Sequence, residues 1–162
     1  MLKEKREIVS ILVDNRANVL TRVTNLFGRR GYNIDSLTVS ATNNPDISRI
    51  TIVFSCTDQS LPQIIAQTEK LENVRSIFIL EHNNSLYREL LLVKVRANRA
   101  ERAELKEFIE IYRGKIVDLS PSSIIIELTG SPEKLDGFLD MLADYQIMDI
   151  CRTGITGIAR KE

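Results

Sequence analysis

The sequence has no tryptophan, one histidine, two cysteines and four prolines, and each scarcity closes off some chemistry. Four Tyr and five Phe are too few for the base-stacking platforms of single-strand nucleic-acid binders. The 22 basic and 22 acidic residues cancel, so no whole-molecule field draws nucleic acid or an anionic membrane. No apolar run approaches the roughly 20 residues of a spanning helix, and MLKEKREI carries no apolar segment after its charges. These features predict a soluble, cytoplasmic protein with no nucleic-acid or membrane partner. Cys56 and Cys151 lie in apolar, strand-like segments with no Cys or His at metal spacing, so buried reduced thiols are expected and no metal site. His82, among polar residues in EHNNSLYRE, reads as a solvated loop residue. GxGxxG, Walker, HExxH, CxxC and GxSxG patterns are all missing, and no catalytic residue is assigned. Glu101, Glu104, Glu107 and Glu110 interleave with Arg99, Arg102 and Lys106, as on a solvated, self-neutralising helix face.

What is present concentrates in SILVDNRANVLTRVTNLFGRRGYNIDSLTVSA, from Ser10 to Ala41. An apolar strand, Ile8 to Val13, meets a polar break at Asp14 to Ala17. A helix follows from Asn18 to Arg30, with Val19, Val23, Leu26 and Phe27 at helical spacing. Gly31 releases the chain into an alternating strand, Ile34 to Ala41. Such a break aims the free N–H groups of a first helical turn beyond the strand end, a geometry suited to a small carboxylate. Asn15 and Asn18 bracket the break, and Asn18 is placed to be the N-cap. Capping alone would also account for both residues.

The rest of the chain repeats the order strand, helix, strand, strand, helix, strand. Ser48 to Cys56 alternates, Ser60 opens a helix with Pro62 and Gln63 behind it, and Val74 to Leu80 closes the first set. Leu90 to Val95, Glu101 to Arg113, Lys115 to Leu119, Ser123 to Thr129, a helix capped by Ser131 with Pro132 behind it, and Met148 to Thr153 make the second. Arg30-Gly31 and Arg113-Gly114 occupy equivalent places. The predicted fold is therefore α+β: two tandem ferredoxin-like βαββαβ units, each an antiparallel four-stranded sheet with helices on one face. The predicted bounds are 1–80, a polar linker at 81–88, and 89–162. Two helices cover one sheet face only, so the other face and the edges are expected to stay open and self-association to follow. The Ser36, Thr38, Ser40, Thr51 and Ser55 face favours edge pairing over face packing.

DNRANVLTRVTNLFGRRGYNIDSLTV, ISRITI, RELLLVKV, YRGKIVDL and CRTGI, in this order over essentially the whole chain, closely resemble the small regulatory subunit of acetolactate synthase, also called acetohydroxyacid synthase. The resemblance implies an ACT domain at 1–80 that dimerises and binds an amino acid, followed by the family's own C-terminal domain. It implies a subunit without an active site that serves branched-chain amino-acid (valine, leucine and isoleucine) biosynthesis. Such a subunit binds and activates a large catalytic partner and confers feedback by valine or a related amino acid. Thiamine diphosphate, Mg and, as an open case, FAD would belong to that partner, with no cofactor in this chain. Residue by residue, the resemblance assigns effector binding to Asn15, Asn18, Val19 and Leu20, with Asn33 and Ile34 from the neighbouring protomer and Thr38 on the strand that follows. The family usually has Gly where Asn18 stands, so valine feedback is expected to be weak or absent and Asn18→Gly to tighten valine binding. A stand-alone ACT-type amino-acid sensor is the alternative.

Overall fold

The computed structural model describes residues 4–160. The terminal residues 1–3 and 161–162, which the predicted domain bounds include, lie outside them. The first half comprises β1 (Lys5–Asp14), α1 (Val19–Arg29), β2 (Ile34–Ala41), β3 (Ile47–Cys56), α2 (Leu61–Glu69) and β4 (Val74–Ile79). A 3-10 turn at His82–Asn84 leads to β5 (Ser85–Arg96), α3 (Glu101–Ile111), β6 (Lys115–Leu119), β7 (Ser123–Gly130), α4 (Pro132–Met141), β8 (Ile147–Arg152) and β9 (Thr156–Ala159). The first sheet runs β2-β3-β1-β4 and the second β6-β7-β5-β8, with β9 as a fifth strand on β5. The pairings along both four-strand paths are antiparallel. The tandem βαββαβ architecture is as the sequence predicts.

Strand alternation sets the first core. Val9, Ile11 and Val13 face Ile50, Ile52 and Phe54 on one side of the sheet, where Val19, Val23 and Phe27 of α1 and Ile64 of α2 cover them. Each large side chain so buried contributes about 1.5–3 kcal/mol. The rings of Phe27 and Phe54 meet edge to face at 5.0 Å. Helix α1 ends in a Schellman motif: Tyr32 N–H donates to Phe27 C=O and Gly31 N–H to Gly28 C=O, with Gly31 at φ 76°. In the second unit Arg113, at φ 57°, takes the left-handed position instead of Gly114. Gly114 answers a different need, since a Cβ there would lie 3.2 Å from the Glu127 carbonyl oxygen. A second core of Leu91, Val93, Val95, Ile124, Ile126 and Leu128 lies under Leu105, Leu135 and Phe138.

Three sequence expectations change. Ser60 does not cap α2: Thr57 Oγ1 accepts from Ser60 N–H while Ser60 Oγ accepts from Thr57 N–H, a reciprocal pair that moves the cap three residues upstream. Cys151 is exposed and Cys56 buried, whereas the apolar surroundings of both suggested burial; Cys151 sits on β8, at the edge of the main strand path. Burial pushes the Cys56 thiol up, away from reactive thiolate.

The third concerns domain limits. One compact unit takes the chain up to Leu86 together with the residues from Ile155 on, and the other takes Tyr87–Gly154. The predicted linker at 81–88 is largely the 3-10 turn and the start of β5, and the final segment returns to the first unit. Thr38 Oγ1 donates to the Ile155 carbonyl at 3.0 Å. On the helix-free face of the first sheet Thr51, expected outward, is buried, and so are Ser10 and Val53. Edge strand β2 keeps an exposed end at Val39 and Ser40.

Candidate functional site

The polar break after β1 is held from two directions. The Asp14 carboxylate accepts from Arg75 Nε at 2.7 Å and Asn73 Nδ2 at 3.1 Å, while Asp14 N–H donates to the Asn73 carbonyl. These donors, Arg75 first, hold the Asp14 carboxyl below the ordinary carboxylate range. Asn15 Nδ2 donates to the Pro45 carbonyl at 2.8 Å, and Asn15 N–H to that of Asp46. The turn is thus pinned to the β2–β3 hairpin and to the entry of β4. Asp14 is a visible polar residue in the sequence; partners about sixty positions away carried no signal there.

Past this turn Asn18 adopts φ 67° and ψ −3°, and its side chain caps nothing. The N–H groups of Val19, Leu20 and Thr21 have no intrahelical acceptor by position. The N-cap residues of α2 and α3 make no side-chain cap bond either, but a residue just upstream of each accepts from a backbone N–H. In α3, Asn98 Oδ1 accepts from Ala100 and Glu101 N–H while Glu101 Oε2 accepts from Asn98 N–H. Thr57 and Ser131 serve α2 and α4. The repeat keeps the fold in both units and leaves one helix start open. Capping therefore does not account for Asn18, although Asn15 does stabilise the turn.

The seven expected site residues fall into two groups. Asn15, Asn18 and Leu20 are exposed around the open helix start, while the Val19 side chain is buried in the core, leaving only its backbone N–H for a ligand. Asn33 and Ile34 lie elsewhere. Asp14 pairs with Ile47 at one end of β3 and Ile34 with Phe54 near the other, seven residues away or roughly 23 Å along the strand. One chain does not bring them together. Thr38 lies between, its hydroxyl engaged by Ile155.

Acid should loosen this turn. A carboxyl whose pKa is lower in the folded than in the unfolded chain adds stability above the unfolded value near 3.8 and loses it as pH falls through the folded one. Accordingly, stability should fall as pH drops below the unfolded value near 3.8, and Arg75→Gln should remove part of that pH dependence; acid unfolding curves with no difference between the two proteins would contradict the clamp.

Two tandem ferredoxin-like units, the first with a helix start that no side chain caps, are the architecture of the ACT class. Residues 9–76 match the model of the AHAS small subunit-like ACT domain, and residues 88–161 that of the small subunit of acetolactate synthase. The acetolactate synthase small subunit of Mycolicibacterium smegmatis is 46% identical over 152 residues, covering 94% of this chain and 89% of the relative. The isozyme 3 small subunit of Salmonella typhimurium is 40% identical, covering 96% of each. The crystal structure of the Thermotoga maritima acetolactate synthase small subunit superposes with a TM-score of 0.89 at 38% identity, covering 98% of this chain and 99% of that one. The chain belongs to the acetolactate synthase small-subunit family, regulatory subunits of branched-chain amino-acid biosynthesis.

Proposed function

We propose that this chain binds the large catalytic subunit of acetolactate synthase, raises its activity, and makes it answer to a branched-chain amino acid held at the open start of α1 across a homodimer. The uncapped first turn carries the reading. A carboxylate there gains about 0.3–1 kcal/mol from the helix dipole. Each charged amide hydrogen bond adds about 1.5–3 kcal/mol, which together reach the micromolar-to-millimolar affinities of a metabolite sensor. The dimer would pair β2 edges, completing each site with the partner copy's turn before β2. Thiamine diphosphate, Mg and any FAD belong, in this reading, to the catalytic partner in a transferase complex of the cytoplasm. Neither nucleic acid nor membrane takes part.

Regulation follows by linkage. An amino acid bound across two copies favours one dimer packing, and a catalytic subunit that distinguishes the packings by about 1–3 kcal/mol changes activity several-fold to a hundredfold. Reconstitution tests it: the large subunit is assayed with and without this chain while valine, leucine and isoleucine are titrated. Stimulation that one of them reverses is expected; failure to bind or stimulate the large subunit would leave a stand-alone sensor.

Asn18 sets the effector response. Its side chain stands uncommitted beside the N–H groups that would meet the carboxylate. Asn18→Gly retains the left-handed backbone without a Cβ and clears that space. The variant should bind valine several-fold more tightly by calorimetry with little change in melting temperature, whereas low-micromolar valine affinity in the unmodified chain would refute the expected weak feedback.

A further inference from the structure

A cavity of about 630 Å³ lies on the helix-free side of the first sheet, opposite the face that α1 covers. Leu12, Arg49 and Phe78 line it from the sheet, Ile158 and Ala159 from the returning β9, and Glu81, Asn84 and Ser85 from the turn between them. Volumes of this order hold metabolite-sized ligands.

Arg49 is the feature that needs an explanation. Its Nη1 donates to Ser10 Oγ at 2.7 Å and its guanidinium carbon stands 5.8 Å from the Phe78 ring centroid, and its other guanidinium donors make no hydrogen bond to the residues that line the cavity. The residue is half-buried, and among the described residues no carboxylate lies within ion-pair distance of it. A guanidinium has five N–H donors in a planar fork that matches a carboxylate, and a partly desolvated charge without a counter-ion is unfavourable. The neighbouring Leu12, Ile158 and Ala159 offer apolar contact.

We infer that this cavity is a second ligand site, taking a monocarboxylic acid with a short aliphatic body, whose carboxylate occupies the Arg49 fork. Glu81 on the lining disfavours a second negative charge on the ligand and offers an α-ammonium group an acceptor. The ligand also touches β9, so occupancy fastens the returning segment to the sheet. The inference does not depend on the amino-acid site at α1 and goes beyond it.

Methyl NMR on the full chain tests it, with leucine and 4-methylpentanoate as probes titrated to about 10 mM, the range a few charged contacts support. Shifts at Leu12 and Ile158 are expected with at least one probe, and at least a tenfold loss of affinity in Arg49→Gln. Arg49→Lys, which keeps the charge and loses the fork, should weaken binding several-fold and stands in if Arg49→Gln misfolds. Glu81→Gln should weaken leucine several-fold and leave 4-methylpentanoate unchanged; an equal loss for both probes would count against the inference. Shifts confined to Val19 and Leu20, saturation by neither probe, or unchanged affinity in both Arg49 variants would overturn the inference. The first of these outcomes would leave the α1 site standing.

Discussion

Arg152→Ala is expected to cost the second unit about 3–5 kcal/mol, the penalty for stranding a buried charge. Glu89 on β5 is 4% exposed, and its carboxylate is hydrogen-bonded by Arg152 Nη2 of β8. Arg152 Nη1 also donates to Asp136 Oδ1 of α4 at 2.6 Å, so one guanidinium ties two strands and a helix. The two acids are not equivalent. Asp136 is exposed, and its pair with Arg152 adds about 0–1 kcal/mol. Glu89 cannot regain water without opening the sheet. Thermal unfolding should show a fall of more than about 10 °C for this unit, and Asp136→Ala a small one. Replacing Glu89 and Arg152 together by Leu and Met should recover most of the loss, because an apolar pair leaves no buried charge. A double variant as unstable as Arg152→Ala would show that the arginine matters through packing instead.

Ile155→Ala should remove about 2–5 kcal/mol, and from the first unit although the residue follows the whole of the second. Ile155 is 1% exposed, and its carbonyl takes the Thr38 hydroxyl on β2. Hydrogen exchange reads the location directly: amides of β1 and β3 should lose protection while those of β5 and β7 keep theirs. The opposite pattern would contradict the assignment of this segment to the first unit. A chain cut after Leu80 would lose Ile155 and β9 as well as the second unit, so its failure to bind an effector would not show that the second unit is needed for binding. A cleaner separation keeps residues 155–160 through a short linker.

Local periodicity made most of the fold legible. Val19, Val23 and Phe27 at helical spacing, and Ile50, Ile52 and Phe54 at strand spacing, are read from neighbours in sequence and are the same residues that pack in the core. Ser60 and Gly114 show the limit of such reading. Either of two hydroxyls three apart can be the cap, and Gly114 serves close packing while Arg113 takes the positive φ. The return of Ile155 was illegible for a different reason. TGITGIAR has too few residues to show a period, and its strand pairing joins it to chain far away in sequence.

At the site, the sequence pointed to the turn and to Asn18, and could not distinguish a helix start that is capped from one that is open. That difference lies in whether a side chain bends back, and Asn98 does so while Asn18 does not. Nor could it reveal that Asn33 and Ile34 lie a strand's length from Asn15, which follows from register alone.

The returning segment makes the first unit discontinuous, with Tyr87–Gly154 inserted between its last turn and its final strand. During synthesis, then, the unit that begins first is completed last. When β4 has left the ribosome, Ser10, Thr51 and Val53 still lack the segment that lies over their sheet, and they wait until all of the inserted unit has been made. The nascent chain passes through an interval in which its second half can fold while its first half presents an uncovered sheet face.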